Sequence, residues 1–389
     1  MNPFRQILAV TSISLRAIPQ RLGASLVVVV GMACVVAVTI SILSMSTGFM
    51  RTVKGSGRPD RAMVLSRNAR YEFASSLPRD AVAVIADAPG IRHLANGKAI
   101  ISAEELASVA VTKKGSGLDA YVEIRGVGPE GFALRPEIRL VNGRMFRPAT
   151  HELIVGKSAQ TAFEGLDVGS RITLPEGDWT VTGTFESGGN GNESELLADS
   201  ETLLAAMRAN AFKTVTVLLT APEAFDEFKK ALNSNPTLTV DVVREFDYLA
   251  DQAKSLNSFL TLIAYLVGGI MGLGALFGAL NTLYSAVSTR STEIATLRVF
   301  GFGVGSILTS ILTEALLLSL LGAVIGALLA WLAFNGNLHS AGGLVFRLTV
   351  TPSLIAAGIA FACALGLIGG LFPALRAARV PVAVALRDR

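Results

Sequence analysis

The chain has 389 residues, 51% of them hydrophobic and only 16% charged, with a mean hydropathy of +0.52. Such a composition puts a soluble single-core domain at a disadvantage. Residues 51–254 hold 24 of the 34 Lys and Arg and 27 of the 30 acids, so this block is slightly acidic and the basic excess sits beside apolar runs. The pI near 9.2 is therefore a membrane signature and not a nucleic-acid one.

In chain order, a basic amphipathic segment, 1–21, precedes an uncharged run, 22–50. As a helix that run would be about 40 Å long, more than enough to cross a bilayer and about twice a signal-peptide core, so it reads as a retained span. A polar block, 51–255, follows, and then three closely spaced apolar runs at 256–287, 305–334 and 352–375. Arg5, Arg16 and Arg21 precede the first run, Arg290 and Arg298 lie between the second and third, and Arg376, Arg379, Arg387 and Arg389 follow the fourth. With four spans all nine fall on one side, cytoplasmic by the positive-inside bias, while the loop 335–351 carries only Arg347. The expected fold is an α-helical membrane protein with four transmembrane helices and a large α+β extracytoplasmic domain between the first and second.

Inside the polar block, 78–88 has helical character, while 107–112 and 120–127 read as strands. A β-rich insert is expected over 126–211, with strands at 152–155, 171–174 and 179–185; a strand at 214–219 and a helix at 222–232 return to the first subdomain. Val242, Phe246, Leu249, Ala253 and Leu256 recur at spacings of four and three. That seam suits either a stalk helix leading into the second span or an amphipathic helix packed on its own domain.

Chemistry-bearing patterns are few. The cysteines, Cys34 and Cys363, both lie in apolar runs, and His93, His151 and His339 are isolated in sequence, so no metal-ligand spacing emerges. Gly156-Lys157-Ser158 looks like the tail of a phosphate-binding loop, but His151 stands where the required earlier glycine would be. Ser187-Gly188-Gly189-Asn190 reads as a loop tip. The sequence contains no nucleotide site, so the chain itself is expected to be non-catalytic and to bind no cofactor.

The spans carry four small-residue pairs, Gly268/Gly272, Gly274/Gly278, Gly322/Gly326 and Gly366/Gly370, each freeing one helix face for close approach by another helix. Glu314 is the one ionisable residue well inside a span, which argues against an ion or proton pathway, and its expected role is a pairing with Arg298 or a backbone group. The segment 288–304 should hold a short helix capped by Thr289 or Ser291, with Ile294, Leu297 and Val299 or Phe300 as its apolar side and Gly301 ending it. It suits a docking element for a soluble partner or a plain interfacial connector.

The run RSTEIATLRVFGFGVGSILTSILTEALLLSLLGAVIGALLA at 290–330 resembles the core of MacB-like and FtsX-like ABC permeases: a Glu-Ile-x-x-Leu-Arg coupling helix, a Gly turn, then a Glu-Ala-x-x-Leu helix with paired glycines. The tail PALRAARVPVAVALR at 373–387 and the segment SLRAIPQRLGASLVVVVGMACVVAVTISIL at 14–43 are similar to the family's ends. GRMF at 143–146, ELIVGKSAQTAF at 152–163 and DVGSRITLPEGDWTVTGTFESGG at 167–189 resemble the β-rich insert of MacB-type periplasmic domains. MacB fuses an ATPase ahead of its first span, so the split-subunit arrangement of lipoprotein-release permeases is the better match. The resemblance implies a homo- or heterodimer of permease subunits in the inner membrane. Each would dock an ABC ATPase, the user of ATP and Mg, through Arg290, Glu293, Ile294, Leu297, Arg298 and Gly301. A periplasmic membrane-fusion protein and an outer-membrane channel are further candidate partners. Export or extraction driven by motion of the extracytoplasmic domain is the expected function, with FtsX-like switching of a cell-wall hydrolase as the alternative.

Overall fold

The computed structural model describes residues 22–174, 177–341 and 344–378; the basic segment 1–21 and the tail from 379 lie outside the described residues. The chain divides into a helical unit, made of the segments up to Thr47, Ser258–Asn337 and from Thr349 onward, and an α/β unit, Gly48–Asn257 with Leu338–Leu348.

Four helices, Leu22–Ser56, Glu245–Thr289, Val304–Phe334 and Pro352–Ala378, are long and apolar enough to cross a membrane. They contain the four apolar runs and are called the first to fourth spans below. Glycine sets how closely they pack. A Cβ added at Gly322 would lie 2.5 Å from the Val29 carbonyl, and one at Gly326 2.9 Å from Ala33 Cα, so the third span rests directly on the backbone of the first. Gly366 and Gly370 likewise admit the third span, their added Cβ atoms falling 2.7 Å from Ser319 Cβ and 2.8 Å from Ala315 Cβ. Gly268 meets Thr39 Oγ1 at 2.8 Å and Gly272 meets Phe361 Cζ at 3.2 Å, whereas a Cβ at Gly274 or Gly278 would touch nothing within 4 Å. The glycines of three of the four small-residue pairs thus lie against another helix of this chain; Gly274 and Gly278 do not. Met32, Val36 and Ile40 of the first span meet Leu318, Ala323 and Ala362 in the centre of the bundle.

The α/β unit contains β1 (Arg61–Ser66), β2 (Leu77–Pro78), β3 (Ile101–Thr112), β4 (Asp119–Val127), β5 (Arg139–Gly143), β6 (Glu152–Gly156) and β7 (Arg171–Leu174). It continues with β8 (Gly177–Glu186), β9 (Leu196–Asp199), β10 (Ala211–Phe212), β11 (Thr214–Leu218), β12 (Val240–Arg244), β13 (Leu338–Ala341) and β14 (Leu344–Arg347). Ten strands form one sheet ordered β12-β1-β11-β3-β4-β9-β6-β8-β5, with β7 paired to β8; β9 runs parallel to β4 and β6 parallel to β8. Strands β1 and β11 are buried along nearly their whole length, as central strands covered on both faces are. Helices Arg79–Ala86 and Phe225–Asn233 cover them through Ile85, Phe228 and Leu232. A second core gathers Trp179, Phe163, Leu153, Val155 and Ile124 of the insert.

The sheet is continuous across both cores, and the division falls within β3. Ile101 and Ala103 pack on the first core, Ala107 and Val109 on the second. The cores therefore part some twenty residues before position 126, because one long strand serves both. The loop between the third and fourth spans, expected as a plain connection, forms the hairpin β13–β14, and Ser194 Oγ holds its Val345 through both the N–H (2.8 Å) and the carbonyl (3.0 Å).

The expected helical seam needs one correction. Val242 lies in β12, paired with Val64, and the helix starts only at Glu245; a β-branched residue in an alternating run joined the sheet instead. Phe246 is exposed, while Tyr248, Leu249 and Ala253 turn inward; Leu249 packs with Met63 and Tyr248, and the Leu256 side chain lies outside the described residues.

Candidate functional site

Between the second and third spans the chain makes a sharp turn and a separate helix, Ser291–Val299. Its N-cap is Arg290, without a side-chain cap: Thr289 Oγ1 donates to the Ala286 carbonyl instead, and Ser291 is already the first helical residue. The expected hydroxyl cap is replaced by an ionic one. Arg290 Nε donates to Glu293 Oε2 at 3.1 Å, and Arg290 Nη1 stands 3.8 Å from Glu314 Oε2 on the third span. The guanidinium and the Glu314 carboxylate are each only 12% accessible. Glu314 thus pairs with Arg290, because the turn at Arg290 brings that side chain back over the third span.

The other end of the helix is closed by Gly301 at φ +85°. Its N–H donates to Arg298 O (3.0 Å) and the Phe302 N–H to Leu297 O (3.1 Å), the paired bonds of a Schellman stop, which needs a left-handed residue at this place. Ile294 is buried against Val287, Ile307 and Ile311, with Ala374 and Ala377 of the fourth span completing the cluster. Leu297 and Arg298 are half-buried. Val299 and Phe300, one or other of which was expected to share an apolar side with Ile294 and Leu297, point outward at 61% and 77% exposure; Glu293 is 66% exposed beside them. A cavity of about 320 Å³ opens beneath the helix, bounded by Leu283, Arg290, Leu297, Phe300, Ile311 and Glu314. The helix is thus anchored at both ends and along one face, and its free face carries two large apolar side chains and an acid.

The fragments Gly156-Lys157-Ser158 and Ser187-Gly188-Gly189-Asn190 come together in the α/β unit. Ser187 N–H and Gly189 N–H donate to Glu193 Oε1 at 2.6 and 2.7 Å, and Ser158 Oγ donates to Glu193 Oε2 at 3.0 Å. Gly188 and Gly189, at φ +71° and +76°, shape the loop so that its amides converge on one anion, and that anion is the chain's own carboxylate. A side chain at Gly156 would run into the Glu193 backbone, with Cβ 2.7 Å from Glu193 Cα. Glycine is there for packing.

Residues 25–235 match the family model for the MacB-like periplasmic core domain, and residues 265–382 match that for the FtsX-like permease C-terminal region. Among solved structures, the extracellular domain of the noncanonic ABC-type transporter YknZ from Gram-positive bacteria is similar at 14% identity and a TM-score of 0.35, over 47% of this chain and 99% of that one. Comparison with curated proteins returned no match. With the core-domain model spanning more than half of its length and the permease model reaching over the three later spans and the helix Ser291–Val299, the chain belongs to the MacB-like and FtsX-like family of ABC transporter permeases.

Proposed function

We propose that this permease subunit receives an ABC ATPase on the helix Ser291–Val299 and passes its ATP-driven motion to the α/β unit, which expels or extracts a substrate outside the cytoplasm. The observation that carries this reading is the helix itself: fixed by the half-buried Arg290–Glu314 pair and the Gly301 stop, it presents Val299 and Phe300 to a partner. Exposed aromatic anchors on a rigid support are the usual centre of an interface. ATP and Mg are handled by the ATPase, and a second permease subunit, identical or related, completes the pair. The arginine distribution supports an inner-membrane location with cytoplasmic termini. Glu314 is the single acid within the apolar runs 256–287, 305–334 and 352–375, which favours transmitted motion over a polar tunnel. A signalling scaffold of the FtsX kind would use the same motion, but the two-core unit of Gly48–Asn257 favours handling of a substrate, with a membrane-fusion protein and outer-membrane channel as its further partners.

The test is co-purification and ATP turnover of the full chain co-expressed with its ATPase. Phe300→Ala should weaken binding by about 30-fold, the scale of a lost hot-spot side chain. The Glu293→Ala, Arg298→Ala double variant should lower both binding and stimulated turnover. Wild-type binding and turnover in both variants would remove docking at this helix.

A further inference from the structure

The face of β3 and β4 opposite the second core carries an ionic cluster that the transport reading leaves unused. Arg125, 8% exposed, gives its Nε to Glu195 Oε2 (2.9 Å) and its Nη1 to Glu72 Oε1 (2.8 Å) and Glu104 Oε2 (2.9 Å); its Nη2 goes to Glu123 Oε1 (3.0 Å). Arg135 holds the other side of the fully buried Glu104 at 2.7 Å. Close by, Arg61, fully buried, binds Glu137 and, at 3.2 Å, Glu245, the first residue of the helix that continues as the second span. Six carboxylates thus share three guanidiniums, and around Arg125 itself four carboxylates face two. A cavity of about 80 Å³ borders Glu72, Glu123, Arg125, Arg135, Glu195 and Glu245.

Like charges gathered around so few cations in a low-dielectric site raise the cost of ionising the last of them. Burial, together with the carboxylates of Glu195, Glu72 and Glu104, pushes Glu123 up to about 8 against the pull of Arg125. The member with the weakest hold on the fold is Glu72, on the single turn Glu72–Ala74, whose neighbours Tyr71 and Phe73 are 60% and 48% exposed. Its N–H donates to Tyr248 Oη at 3.0 Å, and Tyr248 lies one turn into the same long helix as Glu245.

We propose that this cluster is a proton-operated joint: a proton held within the ring of carboxylates around Arg125 keeps the segment 67–76 closed on Arg125 and Tyr248, and its loss releases that segment. The groups facing Glu123 are Arg125 on its own strand, Glu104 on β3, Glu195 ahead of β9, Glu72 on its turn, Arg135 after the short helix Gly131–Leu134, and Tyr248 on the long helix. On deprotonation, the net charge around Arg125 moves further negative, and the carboxylate on the smallest element leaves first. The joint acts whatever drives the helical unit, so it does not depend on where an ATPase docks.

The experiment is amide hydrogen exchange on the detergent-solubilised full chain from pH 6.5 to 9, with the intrinsic pH dependence of exchange divided out. Opening of 72–76 should increase about tenfold over that range in the wild type, the change expected for one titrating group. Glu123→Gln, which keeps a hydrogen-bonding group of the same shape and removes the charge, should hold opening at its low-pH level; Glu195→Gln provides the same comparison at a second position. A flat wild-type profile would overturn the proposal, as would an unchanged pH response in both variants.

Discussion

Replacing Gly326 with leucine is expected to lower the thermal midpoint of the purified chain by on the order of 5–10 °C, whereas the same change at Gly278 should leave it unmoved. At Gly326 the new Cβ would fall 2.9 Å from Ala33 Cα, and the obstacle is backbone that cannot rotate away; at Gly278 nothing lies within 4 Å. The first and third spans would have to separate by about a side-chain layer, losing the contacts of Met32, Ala323 and Ala327. Gly322→Leu should repeat the effect, since its Cβ would sit 2.5 Å from the Val29 carbonyl. Thermal unfolding in one detergent, read by circular dichroism, makes the comparison. Equal losses at Gly326 and Gly278 would show that composition, and not close helix approach, sets the outcome.

Arg125→Met should cost about 3–5 kcal/mol of the α/β unit's stability, the penalty for stranding buried charges, and more at pH 8 than at pH 5. Glu104 would keep Arg135, but Glu72, Glu123 and Glu195 would lose the guanidinium that serves them. Carboxylates left without a cation have their folded-state pKa raised. Their contribution is intact below the unfolded value near 4.3 and is lost as pH rises through the folded one. Acid should therefore rescue this variant. Denaturant unfolding of the full chain at the two pH values measures the difference, and a deficit that is equal or larger at pH 5 would contradict the assignment of Arg125 as the cluster's counter-ion.

The four spans were legible because their signal is one of length: long apolar runs with basic residues at the ends expected to be cytoplasmic admit few readings. The turn at 288–304 was legible for a similar reason, since Gly301 and the apolar Ile294 each have one economical role. Its outward face was not, because Val299 and Phe300 lie at the end of the helix, where the stop at Gly301 turns them away from the bundle. The periodic seam from Val242 onward was misleading in its first member, as a spacing of four does not separate a helix residue from the last inward residue of a strand. The ionic cluster left a faint trace, in Glu and Arg embedded in ISAEELASVAVT and DAYVEIRGV, where an edge exposed to water would be the simpler explanation. Only the pairing of β3 with β4, and of β4 with β9, reveals that these charges meet.

Glu193 illustrates how a loop can carry its own anion. Because the carboxylate seated on the amides of Ser187 and Gly189 is covalently part of the chain, its effective concentration there is fixed and does not follow the anions dissolved around it. The same tether means that the loop should keep one shape in phosphate-rich and phosphate-free solution alike.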